Sequence, residues 1–163
     1  MAVYTAHTGN NSDLIEQVAL LYLKNGMKIA DVTYGKGVFW RKIDLNRFVF
    51  LPSDLRSTKE TKEAGGSRMD FIKLGYGSNT IDVVVLDPPY IHSPGKHMTD
   101  KRYGNAATTK GMYHKDIMEL YRKGMKESIR VLVNGGQLWV KTKDQVMSGE
   151  QCWSHIDIYN IAM

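Results

Sequence analysis

Asp87-Pro88-Pro89-Tyr90 is the segment whose residue types carry the most chemistry. It directly follows the apolar run Ile81 to Leu86, centred on Val83-Val84-Val85. Two prolines after a buried strand end its hydrogen-bond ladder, because proline has no N–H to donate. They also fix the directions of the neighbouring carbonyls. A carboxylate beside a rigid carbonyl makes a pair of acceptors, and a planar exocyclic NH₂ group is the matching pair of donors. Tyr90 adds an aromatic face on which a base can stack, worth ~1–3 kcal/mol. A strand-ending turn with a surface tyrosine would use the same residues. The order of the chain favours chemistry, because a glycine turn and a second acid precede the tetrapeptide.

That glycine turn is Asp31-Val32-Thr33-Tyr34-Gly35-Lys36-Gly37, between an expected strand and an expected helix. Glycines there let the backbone turn sharply and approach a ligand closely. Asp54, at the end of the next apolar run, lies 17 residues past Gly37 (54 − 37). A carboxylate there can accept hydrogen bonds from both hydroxyls of a ribose. The position three past Gly37 is Trp40, so the full G-x-G-x-x-G pattern of a dinucleotide site is not met. A nucleoside-type cofactor without a pyrophosphate fits better; a plain strand-to-helix turn is the competing reading. His92, His97 and His114 match no common metal-site spacing, and no metal is expected.

The elements that must position these residues alternate. A helix capped by Asn11 or Ser12 is expected, with Leu14, Ile15, Val18, Leu21 and Tyr22 on one face. Strands are expected at 27–33, 48–51, 69–74, 81–86 and 137–141, with a short helix from Val38 and a polar loop or weak helix over 56–68. The spacing predicts a helix over 113–132, a tight turn at Asn134-Gly135-Gly136 and a further helix from Trp153. The unalternating β-branched run at 81–86 reads as a strand covered on both faces, as in a parallel sheet. The fold class is therefore α/β, a doubly wound sheet.

A chain of 163 residues has the size of one domain. Its single cysteine, Cys152, excludes a disulfide framework and Cys-rich zinc sites. The N-terminal residues lack a signal-peptide pattern, and no apolar run has the length of a membrane span. An intracellular, cytoplasmic chain without a membrane partner is expected. The net charge of +5 is concentrated: residues 91–130 carry nine basic and four acidic side chains, net +5. The long polar stretch 91–112 holds Lys96, Lys101, Arg102 and Lys110. A basic segment in a neutral scaffold points to a polyanion such as nucleic acid; a solubilising loop is the plainer alternative.

Together these motifs resemble the S-adenosylmethionine-dependent amino-methyltransferases that modify adenine N6 or cytosine N4 in DNA, and small phage-type DNA methylases in particular. The resemblance covers about residues 8–145. It implies a Rossmann-like methyltransferase sheet over residues 1–163, cut short after the fifth strand, with strands six and seven missing. It implies S-adenosylmethionine as cofactor, held by Asp31, Thr33, Gly35, Gly37, Asp54, Asp70 and Phe71. Thr33 stands where an aromatic is often found. Asp87, Pro88, Pro89 and Tyr90 would be the catalytic residues. Asn134 to Lys141 resembles the glycine turn and fifth strand that follow. DNA would be the partner, contacted by Lys96, Lys101, Arg102, Tyr103, Asn105 and Lys110, and the origin prokaryotic or phage. RNA is the alternative partner, through the similar tetrapeptides of RNA guanine-N2 methyltransferases. A truncated domain that binds nucleic acid without transferring a methyl group is the non-enzymatic alternative.

Overall fold

A computed structural model describes residues 7–90, 113–147 and 149–163. Five parallel strands form the main sheet in the order β3-β2-β1-β4-β5: β1 (Lys28–Asp31), β2 (Val49–Asp54), β3 (Ser67–Arg68), β4 (Ile81–Leu86) and β5 (Leu132–Val140). Helix α1 (Asn11–Tyr22) covers one face. α2 is the short helix Lys59–Glu63, and α3 (His114–Val131) covers the other face. This is the doubly wound α/β sheet expected from the alternation of elements.

β4 shows why an unalternating strand belongs here. Val83 and Val85 join Ile29 of β1 against Ala19, Leu23, Phe39 and Trp40. Val84 and Leu86 point the other way, into Ala30, Phe71, Ile117, Tyr121 and Met125. Each such buried aliphatic contributes about 1.5–3 kcal/mol relative to exposure. Two faces of contact therefore fix β4 at the centre of the fold.

Several local expectations are corrected. Asn10, not Asn11 or Ser12, caps α1: its side-chain oxygen accepts the Asp13 N–H at 3.1 Å. The buried line of α1 runs through Ser12, Ala19 and the following Leu23, which packs against Phe39 and Trp40. Leu14, Leu21 and Tyr22, expected to face inward, are exposed. The third strand is Ser67–Arg68, ahead of the expected 69–74. There the chain turns instead, with Asp70 bridging to Lys73, and Phe71 and Leu74 drop into the core beneath α3. The expected turn at 134–136 is a bulge inside β5: pairing jumps from Ile81↔Leu132 to Val83↔Gln137, with Gly135 at φ 76°.

Beyond β5 the chain forms a short hairpin and a helix. β6 (Gln145–Met147) and β7 (Glu150–Cys152) pair antiparallel as a separate two-stranded sheet. α4 (Ser154–Ala162) follows and buries Ile158 in the core shared with α3. The hairpin does not extend the main sheet, which has five strands among the described residues. No helix of the described residues is long and apolar enough to cross a membrane.

Candidate active site

The strand order places a topological switch beside β1. The chain leaves β1 toward β2 on one side, and β4 lies on the other. In such sheets a crevice opens beyond the carboxyl ends of the strands at the switch. A cavity of about 420 Å³ lies there, within the range of small-molecule sites. Asp31, Thr33, Gly35, Asp54, Phe71 and the whole tetrapeptide Asp87 to Tyr90 line it. Residues from four separate stretches of sequence thus meet at one place.

The turn after β1 is held by its own side chains. Gly35 and Gly37 have φ of 54° and 63°, in the left-handed region that glycine enters without steric cost. The Gly35 N–H donates to Asp54 Oδ2 at 2.9 Å, and its carbonyl accepts the Thr58 hydroxyl at 2.9 Å. Asp54 Oδ1 accepts the Arg56 N–H at 2.8 Å. Asp54 therefore orients the loop while each oxygen keeps a further lone pair for a ligand. Gly37 shapes the turn but does not line the cavity; its N–H closes on the Tyr34 carbonyl at 2.8 Å.

Asp31 is buried at the cavity floor. Its Oδ2 accepts the Trp40 indole N–H at 2.6 Å, and its Oδ1 accepts the Thr33 N–H at 3.1 Å. Burial pushes the carboxyl up to about 7, against the lowering effect of those two donors. The Trp40 that departs from the dinucleotide pattern thus supplies a donor to the first acid. Phe71 forms an apolar wall and is packed from behind by α3, while Asp70 lies outside the lining. Asp70 instead builds the turn, with Oδ1 accepting the Ile72 N–H at 3.1 Å.

The tetrapeptide faces this loop across the cavity. The Asp87 N–H donates to Thr33 Oγ1 at 2.7 Å. Pro88 is fully buried, so the chain direction past Asp87 is fixed. The Asp87 carboxylate faces Lys141, whose Nζ lies 3.2 and 3.3 Å from its two oxygens. The same ammonium stands 4.7 Å over the Tyr90 ring centroid and donates to the Tyr90 hydroxyl at 3.4 Å. Burial raises the Asp87 pKa above the carboxylate norm, and Lys141 opposes that rise. Burial also works against the Lys141 charge, but Asp87 and Tyr90 outweigh it and the lysine pKa rises.

Lys141 is the member of this group that motif reading passed over as an ordinary fifth-strand residue. Its signal was register. β4 and β5 are parallel, with Leu86 opposite Val140, so the next residues on each strand are neighbours at the ligand edge. The Lys141 backbone is fixed on both sides: its N–H donates to the Leu86 carbonyl at 3.0 Å, and its carbonyl accepts the Tyr121 hydroxyl at 2.8 Å. The tetrapeptide is also held from β6, where the Gln145 side-chain amide donates to the Tyr90 carbonyl.

Lys96, Lys101, Arg102, Tyr103, Asn105 and Lys110 lie outside the described residues, as do His92 and His97. His114 pairs with Asp157 of α4 at 2.9 Å.

No family model matches the sequence, and no curated protein matches it. Solved structures do match its fold. A Clostridium thermocellum protein described as an rRNA-methylase superposes with TM-score 0.56 at 12% identity, over 96% of this chain and 83% of that one. The fold is that of the Rossmann-like methyltransferases. A Methanococcus maripaludis protein described as an S-adenosyl-L-methionine-dependent methyltransferase gives TM-score 0.50 at 12% identity, over 93% of this chain and 60% of that one. A Bordetella parapertussis protein described as exported gives 0.53 at 16% identity, over 91% of this chain. The present chain spans only 49% of the length of that last structure.

Proposed function

We propose that the chain transfers a methyl group from S-adenosylmethionine to an exocyclic amino group of a nucleic-acid base, adenine N6 in DNA above all. One observation carries this reading: the Asp87 carboxylate and the Tyr90 ring share a cavity with the glycine turn and Asp54. An acceptor set for an amino group and a built turn for a nucleoside therefore meet in one crevice.

The residues present fit the cofactor. Asp54 retains acceptor capacity at the loop it orients, Phe71 offers an apolar wall for a purine, and Asp31 and Gly35 line the floor between them. S-adenosylmethionine supplies a methyl group already activated on a sulfonium, which leaves the protein mainly a task of alignment. Asp87 and the Pro88 carbonyl would accept the two amino hydrogens, favour a tetrahedral nitrogen and stabilise the positive charge that develops there. Tyr90 would stack on a base taken out of its duplex.

The test has two arms. Isothermal titration of the folded chain with S-adenosylmethionine should show one binding site, and tritium transfer should label adenine-containing DNA. Asp87→Ala should abolish transfer with cofactor affinity largely kept. No cofactor binding by a folded chain would overturn the proposal. Transfer to RNA guanine in place of DNA would move the substrate to the RNA alternative. Cofactor binding without transfer to any nucleic acid would leave only the non-enzymatic reading.

A further inference from the structure

Lys141 stands one residue past the end of β5. Its side chain is only 28% exposed and its ammonium lies between Asp87 and Tyr90, the two groups assigned to the target base. The Lys141 stem is not free to leave, because its backbone is bonded to both β4 and α3. An ammonium carries three donors. Two contacts go to the two Asp87 oxygens, at 3.2 and 3.3 Å, and one to the Tyr90 hydroxyl, at 3.4 Å; a single donor suffices to keep the carboxylate paired, so a ligand acceptor can take over the other.

A cation beside the methyl acceptor requires an explanation, since positive charge develops on the amino nitrogen during transfer. A plain electrostatic helper would be an acid. What a donor offers is a hydrogen bond to an acceptor next to the amino group. Adenine and cytosine both present an amidine edge: an NH₂ group on a carbon that also carries a ring nitrogen with an in-plane lone pair. That ring nitrogen is the better nucleophile of the two, because the amino lone pair is delocalised into the ring. A site that left it unguarded would direct the methyl group to the wrong atom.

Resting on the base-methylation reading, we propose that Lys141 is the specificity-determining donor of this site: it hydrogen-bonds the ring nitrogen beside the target amino group, so that Asp87 and Lys141 together read an amidine edge. The carboxylate accepts from the amino group and the ammonium donates to its neighbour, which occupies the competing lone pair. The Watson–Crick edge of guanine places a ring N–H beside its amino group, and that donor meets the Lys141 donor with like polarity. Adenine and cytosine are accordingly the substrates selected, and guanine is rejected on that edge.

The experiment compares matched single-stranded oligonucleotides that differ in one ring atom. One carries adenine at the target, one 1-deazaadenine, which replaces the amidine ring nitrogen by C–H, and one 7-deazaadenine, which replaces the ring nitrogen on the other side of the amino group, outside the amidine. The phosphate contribution to binding is common to all three and cancels in the ratios. Binding is read by competition anisotropy and transfer by tritium incorporation. Wild type should lose about ten-fold or more in both measurements on 1-deazaadenine, the size expected for a hydrogen bond to a charged group, and treat 7-deazaadenine like adenine. Lys141→Met, which keeps the apolar stem, should abolish that discrimination. Lys141→Arg, which keeps a charged donor, should retain most of it and serves if the methionine variant does not fold. Wild type that treats 1-deazaadenine like adenine, wild type whose loss falls on 7-deazaadenine instead, or a folded Lys141→Met that discriminates as wild type does, would overturn the inference. Wild type that labels none of the three oligonucleotides would instead overturn the base-methylation reading beneath it.

Discussion

The Thr33 hydroxyl accepts the backbone N–H of Asp87 at 2.7 Å, and this one bond couples the loop after β1 to the rim of β4. The first loop is the expected cofactor side, and the second carries the carboxylate expected at the methyl acceptor. Alignment of donor and acceptor is sensitive to errors of about 1 Å. A hydrogen bond across the crevice is therefore well placed to fix their separation.

Thr33→Val keeps the shape of the side chain and removes the acceptor. It leaves the partly buried Asp87 N–H unpaired, at a cost of about 1–3 kcal/mol. The denaturant midpoint should fall accordingly, and methyl transfer should fall more than cofactor affinity does. Thr33→Ser, which keeps the hydroxyl, should restore most of both. Equal behaviour of the valine and serine variants would show that the bond does not set the spacing.

Asp31 gives the site a pH dependence whose sign is fixed. Burial raises its carboxyl from the ordinary 3.8 to about 7. Between those values the folded chain holds a proton that the unfolded chain has released. Stability from this group is fully present below the ordinary value and is lost as pH rises through about 7. Asp87, also raised by burial, adds a slope of the same sign. Carbon-13 titration of the Asp31 carboxyl should give a midpoint near neutrality. Asp31→Asn should start less stable, since its NH₂ meets either Trp40 or Thr33 donor to donor, yet show a flatter decline across that window. A carboxyl titrating in the ordinary range would refute the assignment.

Much of this site was legible in the residues because the chemistry is sequential at strand ends. Asp87 to Tyr90 follow β4 directly, and Asp54 closes β2. The central strand was legible because Val83, Val84 and Val85 need apolar cover on both faces. Lys141 was not, because its role arises from the pairing of β5 with β4, a relation between distant segments. The third strand was misplaced for a similar reason. Phe71 and Leu74 look like strand residues locally, but α3 draws them into the core from a turn. The inward face of α1 was misjudged because Phe39 and Trp40 take up Ala19 and Leu23 rather than Leu14 and Leu21.

Gly124 on α3 tests how firmly the Phe71 wall of the cavity is held. A Cβ there would lie 2.7 Å from Phe71 Cδ2 and 3.4 Å from Leu86 Cδ2. Replacing a mid-helix glycine by alanine normally stabilises by about 1 kcal/mol. Overpacking of a filled core costs about 1–3 kcal/mol, and here both neighbours are buried. Gly124→Ala should therefore be net destabilising and should displace Phe71 toward the cavity. Thermal unfolding and S-adenosylmethionine titration should report a lower midpoint and several-fold weaker binding. A stabilised variant with unchanged affinity would show that Phe71 yields without affecting the site.

Gln145 ties the tetrapeptide to the hairpin that follows the main sheet. Its side-chain amide donates to the Tyr90 carbonyl, while the Lys141 ammonium lies over the Tyr90 ring. Tyr90 is thus held at its backbone and at its ring by the same stretch of chain. Gln145→Ala removes the backbone tie, a hydrogen bond worth about 0.5–1.5 kcal/mol net. Gln145→Glu is the harsher change, because a carboxylate would then face the carbonyl oxygen. Both should raise the KM for the proposed nucleic-acid substrate and lower kcat, the glutamate variant more. Neither touches the glycine turn, Asp54 or Phe71, so the S-adenosylmethionine Kd should stay at the wild-type value. The hairpin would then act on the base side of the crevice alone. Cofactor affinity falling in step with transfer would instead mean that loosening Tyr90 disturbs the whole crevice, through the Asp87–Thr33 bond.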